Sequence, residues 1–527
     1  MLNHTNGPPI KSLICPSFVA FLGCSITYLF INAMSYPLDH NEHMYITAGY
    51  LAQSQTLYRD FAFLQMPYLP LLYSYIFSIA GVERLLFTGR LCTFLFSVVS
   101  VILVWLACYR VSRDVTVSSA GVAVFSFSPF LVATSGESSN YMMPIALSLL
   151  AFFLFMGALS DGRFKRLRMF FVGLALALAT GAKLYYGPFL LGFILFAFVF
   201  PKTWPFRRRL NQLVAPMFAG MFLGFVPVIH YLVNSPDAFI FDNLGYHLIN
   251  SQWKGFDLEN NFGYRIQELF RIFFYYPANL AFAFLIFYSF FRVIFANRRA
   301  GMKELANDEV VVLTAVLSLL GFAVALVPLP TFIYFFAAPF PFMVILAVAL
   351  IHRIPRIECS GKDGLVFYLV MLVTIISGAT NLYERLPDFV DFNRWTGIRV
   401  HKTSEDIRKL LGPMGQGDLV ATLSPLYAIE SRLPIYVQFA TGPFLYRVGD
   451  LLSTQELNTF RGASSNRVTE MFERKPPFAI IVGAEEGLDA PLRAYAKEKQ
   501  FLKVEVGLME LYKKAPPMGP VSRINKM

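Results

Sequence analysis

Residues 169–201 read MFFVGLALALATGAKLYYGPFLLGFILFAFVFP, a stretch in which Lys183 is the only charge. As one helix it would be about 50 Å long at 1.5 Å per residue, well beyond the roughly 30 Å hydrocarbon core of a bilayer. Lys165, Arg166 and Arg168 precede it, and Lys202, Arg207, Arg208 and Arg209 follow it. Basic clusters hold loops on the cytoplasmic side, so both ends are expected there and the number of crossings between them is even. The stretch is therefore predicted to be a hairpin of two short helices, with Gly181, Lys183 and Gly187-Pro188 at its outer turn.

Working outward, uncharged runs long enough to cross lie at 15–34, 91–109, 115–135, 141–160, 213–233, 275–291, 310–327, 332–351 and 364–380. With the hairpin they give about 11 spans. Placing the N-terminus in the cytoplasm puts Arg110, Arg113, Arg292, Arg298, Arg299, Lys303, Arg353, Arg356 and Lys362 in inner loops and leaves the outer loops poor in Lys and Arg. The expected class is an α-helical polytopic membrane protein: a transmembrane domain over 1–380, with outer loops at 35–84 and 234–274. A small α/β domain is expected over 381–515 outside the membrane, followed by a flexible tail at 516–527.

The chain has 527 residues, 56% hydrophobic and 15% charged, which fits that class. Its net charge of +11 comes from clusters between apolar runs and does not point to nucleic acid. The five cysteines lack metal-ligand or disulfide-framework spacing. In the C-terminal part DLVATL, PIYVQF, FAIIVG and KVEVG read as strands. TSEDIRKLLG reads as a helix capped by Ser404 and stopped by Gly412, and Ser453 and Glu456 have capping-box spacing.

Polar chemistry concentrates on the expected outer face. Asp39-x-x-Glu42, followed by Met44, Tyr45, Ala48 and Leu51, predicts a short amphipathic helix along the membrane surface. Asp39 can cap this helix, with Glu42 at its third position, or face a pocket as a general base; a fully engaged cap is a poorer base, so the two roles compete. Asp39, Glu42 and His43 also form the one candidate set for a divalent metal, with His40 on the same turn; no other cofactor is implied. Arg59 pairs with Asp60 or binds an anion. Lys183 is costly in an apolar hairpin and breaks the charge rule, which a phosphate partner would explain. Glu137 is the only charge in TSGESSNY, and the loop after residue 234 carries His247, Lys254 and Arg265 among aromatics.

These parts, in this order, resemble the GT-C superfamily of multi-spanning glycosyltransferases, whose sugar donors are polyprenyl phosphates. The resemblance rests on the acidic first loop, LYRDF and MPYLPLLY before the second span, GLALALATGAKLYYGP in the hairpin, the aromatic loop at 234–274, and TFIYFFAAPFPFMVILA at 331–347. It implies a sugar transferase similar to the aminoarabinose, mannosyl and galacturonosyl group, in the inner membrane. Its partners would be a polyprenyl-phosphate sugar donor, a glycolipid, glycan or protein acceptor, and the bilayer. Asp39 would be the catalytic carboxylate, with Glu42 of the same acidic loop a further catalytic candidate, Glu137 a second acid, Lys183 a carrier-phosphate contact, and His247 part of a loop closing over the carrier. Where the aminoarabinose transferase has an acidic-Lys-Pro run, this chain has Gln65-Met66-Pro67. Phosphate contact would then fall to Lys183, Arg59 or Arg265, and the case for a metal weakens. A transporter or flippase for a lipid-linked glycan, with its site near the membrane midplane, and a non-catalytic assembly partner are the rival classes.

Overall fold

The computed structural model describes residues 16–80, 83–160, 164–256, 261–353 and 361–514. The tail expected at 516–527 lies outside the described residues, as do Cys15 and Arg356. The first helices are α1 (Pro16–Ser35), α2 (His40–Leu51), α3 (Tyr68–Ala80), α4 (Leu85–Ser112), α5 (Val115–Ser126), α6 (Pro129–Ser135), α7 (Met142–Ser160), α8 (Lys165–Ala182) and α9 (Gly187–Val199). Every stretch expected to cross the membrane coincides with a helix or a broken helix. The later ones are Ala215–Asn234, Pro277–Leu305, Glu309–Ala325, Phe340–Arg353 and Gly361–Val390.

Five of the described helices are long and apolar enough to span singly, or up to 7 if each bent pair is one span. The shorter ones include Leu184–Val199, Glu309–Ala325 and Phe340–His352. The protein is thus a multi-pass membrane protein. The 169–201 stretch breaks where expected: Lys183 leaves helical geometry at φ −152° and ψ 116°, and a short 3₁₀ turn, Leu184–Tyr186, leads into α9. The bundle is drawn tight by glycine. A Cβ on Gly173 of α8 would sit 1.8 Å from the Met217 carbonyl oxygen, and one on Gly220 would sit 1.8 Å from that of Phe170. These backbones touch only because neither residue has a side chain.

The chain turns by 86° between α1 and α2, so α2 lies across the end of the bundle, with α3 against it. Side chains from the expected outer loops meet at this end: His40 with Glu485, Asn140 with Lys183, Gln65 with His247, and Tyr141 with Tyr334. Basic residues of the expected inner loops meet elsewhere: Lys202 donates to the Ala306 carbonyl at 3.0 Å, and Lys165 lies over Trp204.

Beyond α2 and α3 sits a mixed four-stranded sheet in the order β1 (Val420–Thr422), β2 (Ala479–Val482), β4 (Met509–Lys513), β3 (Leu502–Val506). β1 and β2 are parallel, and the other pairs are antiparallel. Strand alternation gives the sheet two apolar faces. Val420, Ala479, Ile481 and Leu511 enter the core built by Met44, Ile46, Leu57 and Phe63, whereas Ala421, Ile480, Val482 and Tyr512 pack with Phe472, Leu492 and Tyr495. The C-terminal domain is therefore welded to α2 and to the segment between α2 and α3 through one shared core.

Three local expectations are corrected. PIYVQF is not a strand: it makes a single bridge, Val420 to Ile435, and then turns into a 3₁₀ segment, while β4 supplies the missing strand. Ser404 is not a cap but lies within the helix Thr396–Leu411, its hydroxyl bonded back to the Val400 carbonyl at 2.9 Å. The last bundle helix continues to Val390, past the boundary expected at 380. The stop at Gly412, with φ +70°, and the capping box of Ser453 with Glu456 form as expected.

Candidate active site

The corner between α1 and α2 is organised by Arg90, near the start of α4. Its guanidinium clasps Glu42 through two bonds, Nε to Oε1 at 2.9 Å and Nη2 to Oε2 at 2.6 Å. It also donates to the carbonyls of Ala33, Tyr36 and Pro37. Glu42 accepts in addition from the backbone N–H of Ser138 at 2.8 Å and of Asp39 at 3.2 Å. Both side chains are sealed from solvent, at 1% and 0% exposure. A buried pair with its bonding capacity filled is a structural clamp. The candidate catalytic role of Glu42 is corrected accordingly: its oxygens hold the chain and face no open space.

The clamp joins two carboxyl groups from distant segments. Asp39 caps α2, its Oδ1 accepting from the Asn41 N–H at 2.8 Å, and the capping box with Glu42 is complete. Glu137, in the turn between α6 and α7, is 3% exposed, hydrogen-bonds Asp39, and accepts from Asn41 Nδ2 at 3.4 Å. Burial, the Asp39 charge and the hydrogen bond to Asp39 push Glu137 well above the usual carboxyl range. A neutral Glu137 keeps a second negative charge away from Asp39. Asp39 is the more exposed member.

Lys183 lies beside this pair. It is 8% exposed, its Nζ donating to Asn140 Oδ1 at 3.2 Å and standing 3.3 Å from the centre of the Tyr141 ring. Burial lowers its pKa well below that of free lysine, and the nearby Glu137 opposes that shift. Fully buried Asn140 also donates to Gln65 Oε1 at 3.2 Å and to the Ala182 carbonyl at 3.1 Å. Gln65 in turn faces His247 Nε2 at 3.5 Å. His247 is exposed, and desolvation by the surrounding protein together with the Lys183 charge lowers its pKa. Asp242, missed in the sequence, accepts from the Phe63 N–H at 3.0 Å and ties the Gln65 loop to the aromatic loop.

Asp39, Glu137, Lys183 and His247 thus come together, and Arg59 and Arg265 do not join them. Arg59 is 63% exposed and engaged by Asp60 at 3.0 Å, and Arg265 reaches the Val327 carbonyl at 3.4 Å. The donor set proposed for a metal does not fit one: Glu42 is consumed by Arg90, and His43 is buried against Tyr427. Among the described residues no group of three or more His, Cys, Asp or Glu could hold a metal ion. Arg447, also missed, enters from the C-terminal domain. It bonds Asn250 Oδ1 and the Tyr246 hydroxyl, each at 3.0 Å, and packs on Trp253.

The fold matches that of GT-C glycosyltransferases of known structure. ArnT, an aminoarabinose transferase, from Cupriavidus metallidurans superposes in its apo state with a TM-score of 0.58 over 94% of this chain and 97% of that one, at 12% identity. The same protein bound to undecaprenyl phosphate gives 0.57 over the same shares, also at 12% identity. The Archaeoglobus fulgidus oligosaccharyltransferase, in complex with Zn and sulfate, gives 0.51 over 91% of this chain and 69% of that one, at 14% identity. No protein-family model matches the chain, and no curated protein sequence does.

Proposed function

We propose that the chain is a GT-C-type glycosyltransferase that moves a hexosyl or pentosyl group from a polyprenyl phosphate to an envelope glycolipid, glycan or protein. It works at the outer face of the inner membrane, with the N-terminus cytoplasmic and the C-terminal domain outside. The observation that carries this reading is the meeting of Asp39, Glu137, Lys183 and His247, drawn from separate turns. The shared fold, and the undecaprenyl phosphate bound to ArnT, support it. These residues lie at helix ends or between helices, which suits chemistry at an interface better than a transport site on helices broken at mid-membrane.

The acceptor hydroxyl gives its proton to the Asp39 carboxylate as its oxygen bonds to the anomeric carbon. Attack opposite the leaving group inverts that carbon. The bond from the anomeric carbon to the phosphate oxygen breaks, and the electron pair leaves with the phosphate. Lys183 stabilises the charge gathering there, with Gln65 and neutral His247 bordering it. Glu137, held protonated, donates to Asp39 and keeps a second negative charge out of the site. No step needs a metal.

Mass spectrometry of envelope glycolipids from cells with and without the protein tests the reading. One acceptor is expected to lose one sugar when the protein is absent and to stay unmodified with Asp39→Asn. Unchanged glycolipids, glycans and proteins in its absence would overturn it.

A further inference from the structure

A cavity of about 920 Å³ opens at the far end of α2, between that helix and the C-terminal domain, and contains none of the residues of the carboxyl and lysine cluster. Tyr50 and Leu51 form one wall, and α2, with 12 residues, separates this wall from Asp39 by about 18 Å. The volume falls in the range of small-molecule sites.

Its lining is unusual in two ways. First, its wall carries the half-buried Arg467 together with the exposed Arg432. Secondly, cations exceed acids. Arg432, Arg467, Arg474 and Lys475 line the cavity against Glu470, which Arg474 already engages. Gln55 and Gln438 add amides suited to hydroxyl groups, and the half-buried Tyr50 ring offers an apolar face to sugar C–H groups.

We propose that this cavity binds an acidic saccharide, with Arg467 and Arg432 on its carboxylate or phosphate group and the glutamines on its hydroxyls. That the bound saccharide is the acceptor, held one helix length from Asp39, rests on the transferase reading; the binding itself does not.

The test is calorimetric titration of the full-length protein in lipid nanodiscs with trigalacturonic acid, chitotriose, inorganic phosphate and a tetraglutamate peptide. The acidic trisaccharide is expected to bind at least tenfold more tightly than the other three probes. Arg467→Gln and, separately, Arg432→Gln should each weaken it several-fold, and Asp39→Asn should leave it unchanged. Equal binding of chitotriose, phosphate or the peptide would overturn the proposal, as would unaltered affinity in both arginine variants. Retained binding in a protein shown to transfer no sugar would sink the transferase reading while leaving the cavity's ligand intact.

Discussion

In the proposed mechanism the protonation of Glu137, beside Asp39, sets the working pH. Because Glu137 is raised, its neutral form is favoured at low pH and lost as pH rises through the folded value, placing a second charge beside Asp39. Transfer should therefore fall on the alkaline side. Glu137→Gln keeps a donor that cannot ionise, so its pH–rate profile should lack that fall, whereas Glu137→Ala should lose activity throughout. Asp39→Asn should lower turnover by about 10²–10⁴-fold with the fold intact. At Arg90, removing one partner strands a buried charge: Arg90→Met or Glu42→Leu alone should cost about 3–5 kcal/mol. The double substitution should cost less than the sum, which thermal unfolding in detergent will read as a coupling energy. Asp39 and Lys183 were legible in the sequence because a carboxylate and a lone cation stand out against apolar surroundings. Arg90 was not, since it borders an apolar run like any flanking arginine. Its meaning comes from Glu42, 48 positions away.

Helices were legible where length and hydrophobicity alone decide them, and the hairpin at Lys183 followed from the bilayer's thickness. What composition could not show is contact between elements. PIYVQF has the β-branched and aromatic residues of a strand, yet only Ile435 finds a bridge, so the segment turns away. Ser404 resembles a cap until the helix beginning at Thr396 swallows it. The pairing of α8 with Ala215–Asn234 depends on Gly173 and Gly220, where any Cβ collides with a backbone carbonyl. Backbone cannot yield as a side-chain tip can. Gly173→Ala or Gly220→Ala should therefore destabilise by about 1–3 kcal/mol or more, seen as a lowered Tm. Gly263→Ala, with nothing within 4 Å of the added Cβ, is the matched control.

Across the whole molecule, the C-terminal domain contributes to the candidate site. Its Glu485 holds His40 at 2.7 Å, one residue from Asp39. That hydrogen bond raises the His40 pKa, so the stabilisation is fully present below the ordinary value of 6.5 and fades as pH rises through the folded value. Hydrogen exchange at the start of α2 should accelerate over that interval, and His40→Gln should remove the pH dependence. The weld between this domain and α2 was illegible in the sequence, since β2 reads only as a buried apolar run and its partners lie hundreds of residues earlier. The central claim is that this corner transfers a lipid-borne sugar. Its most direct test is single-turnover transfer in proteoliposomes carrying envelope polyprenyl-phosphate sugars and acceptor glycolipids, comparing the native chain with Asp39→Asn and Lys183→Gln. The account predicts sugar on the acceptor with the native chain and at least a hundredfold slower transfer in both variants. Equal rates in all three, with each protein folded, would contradict it.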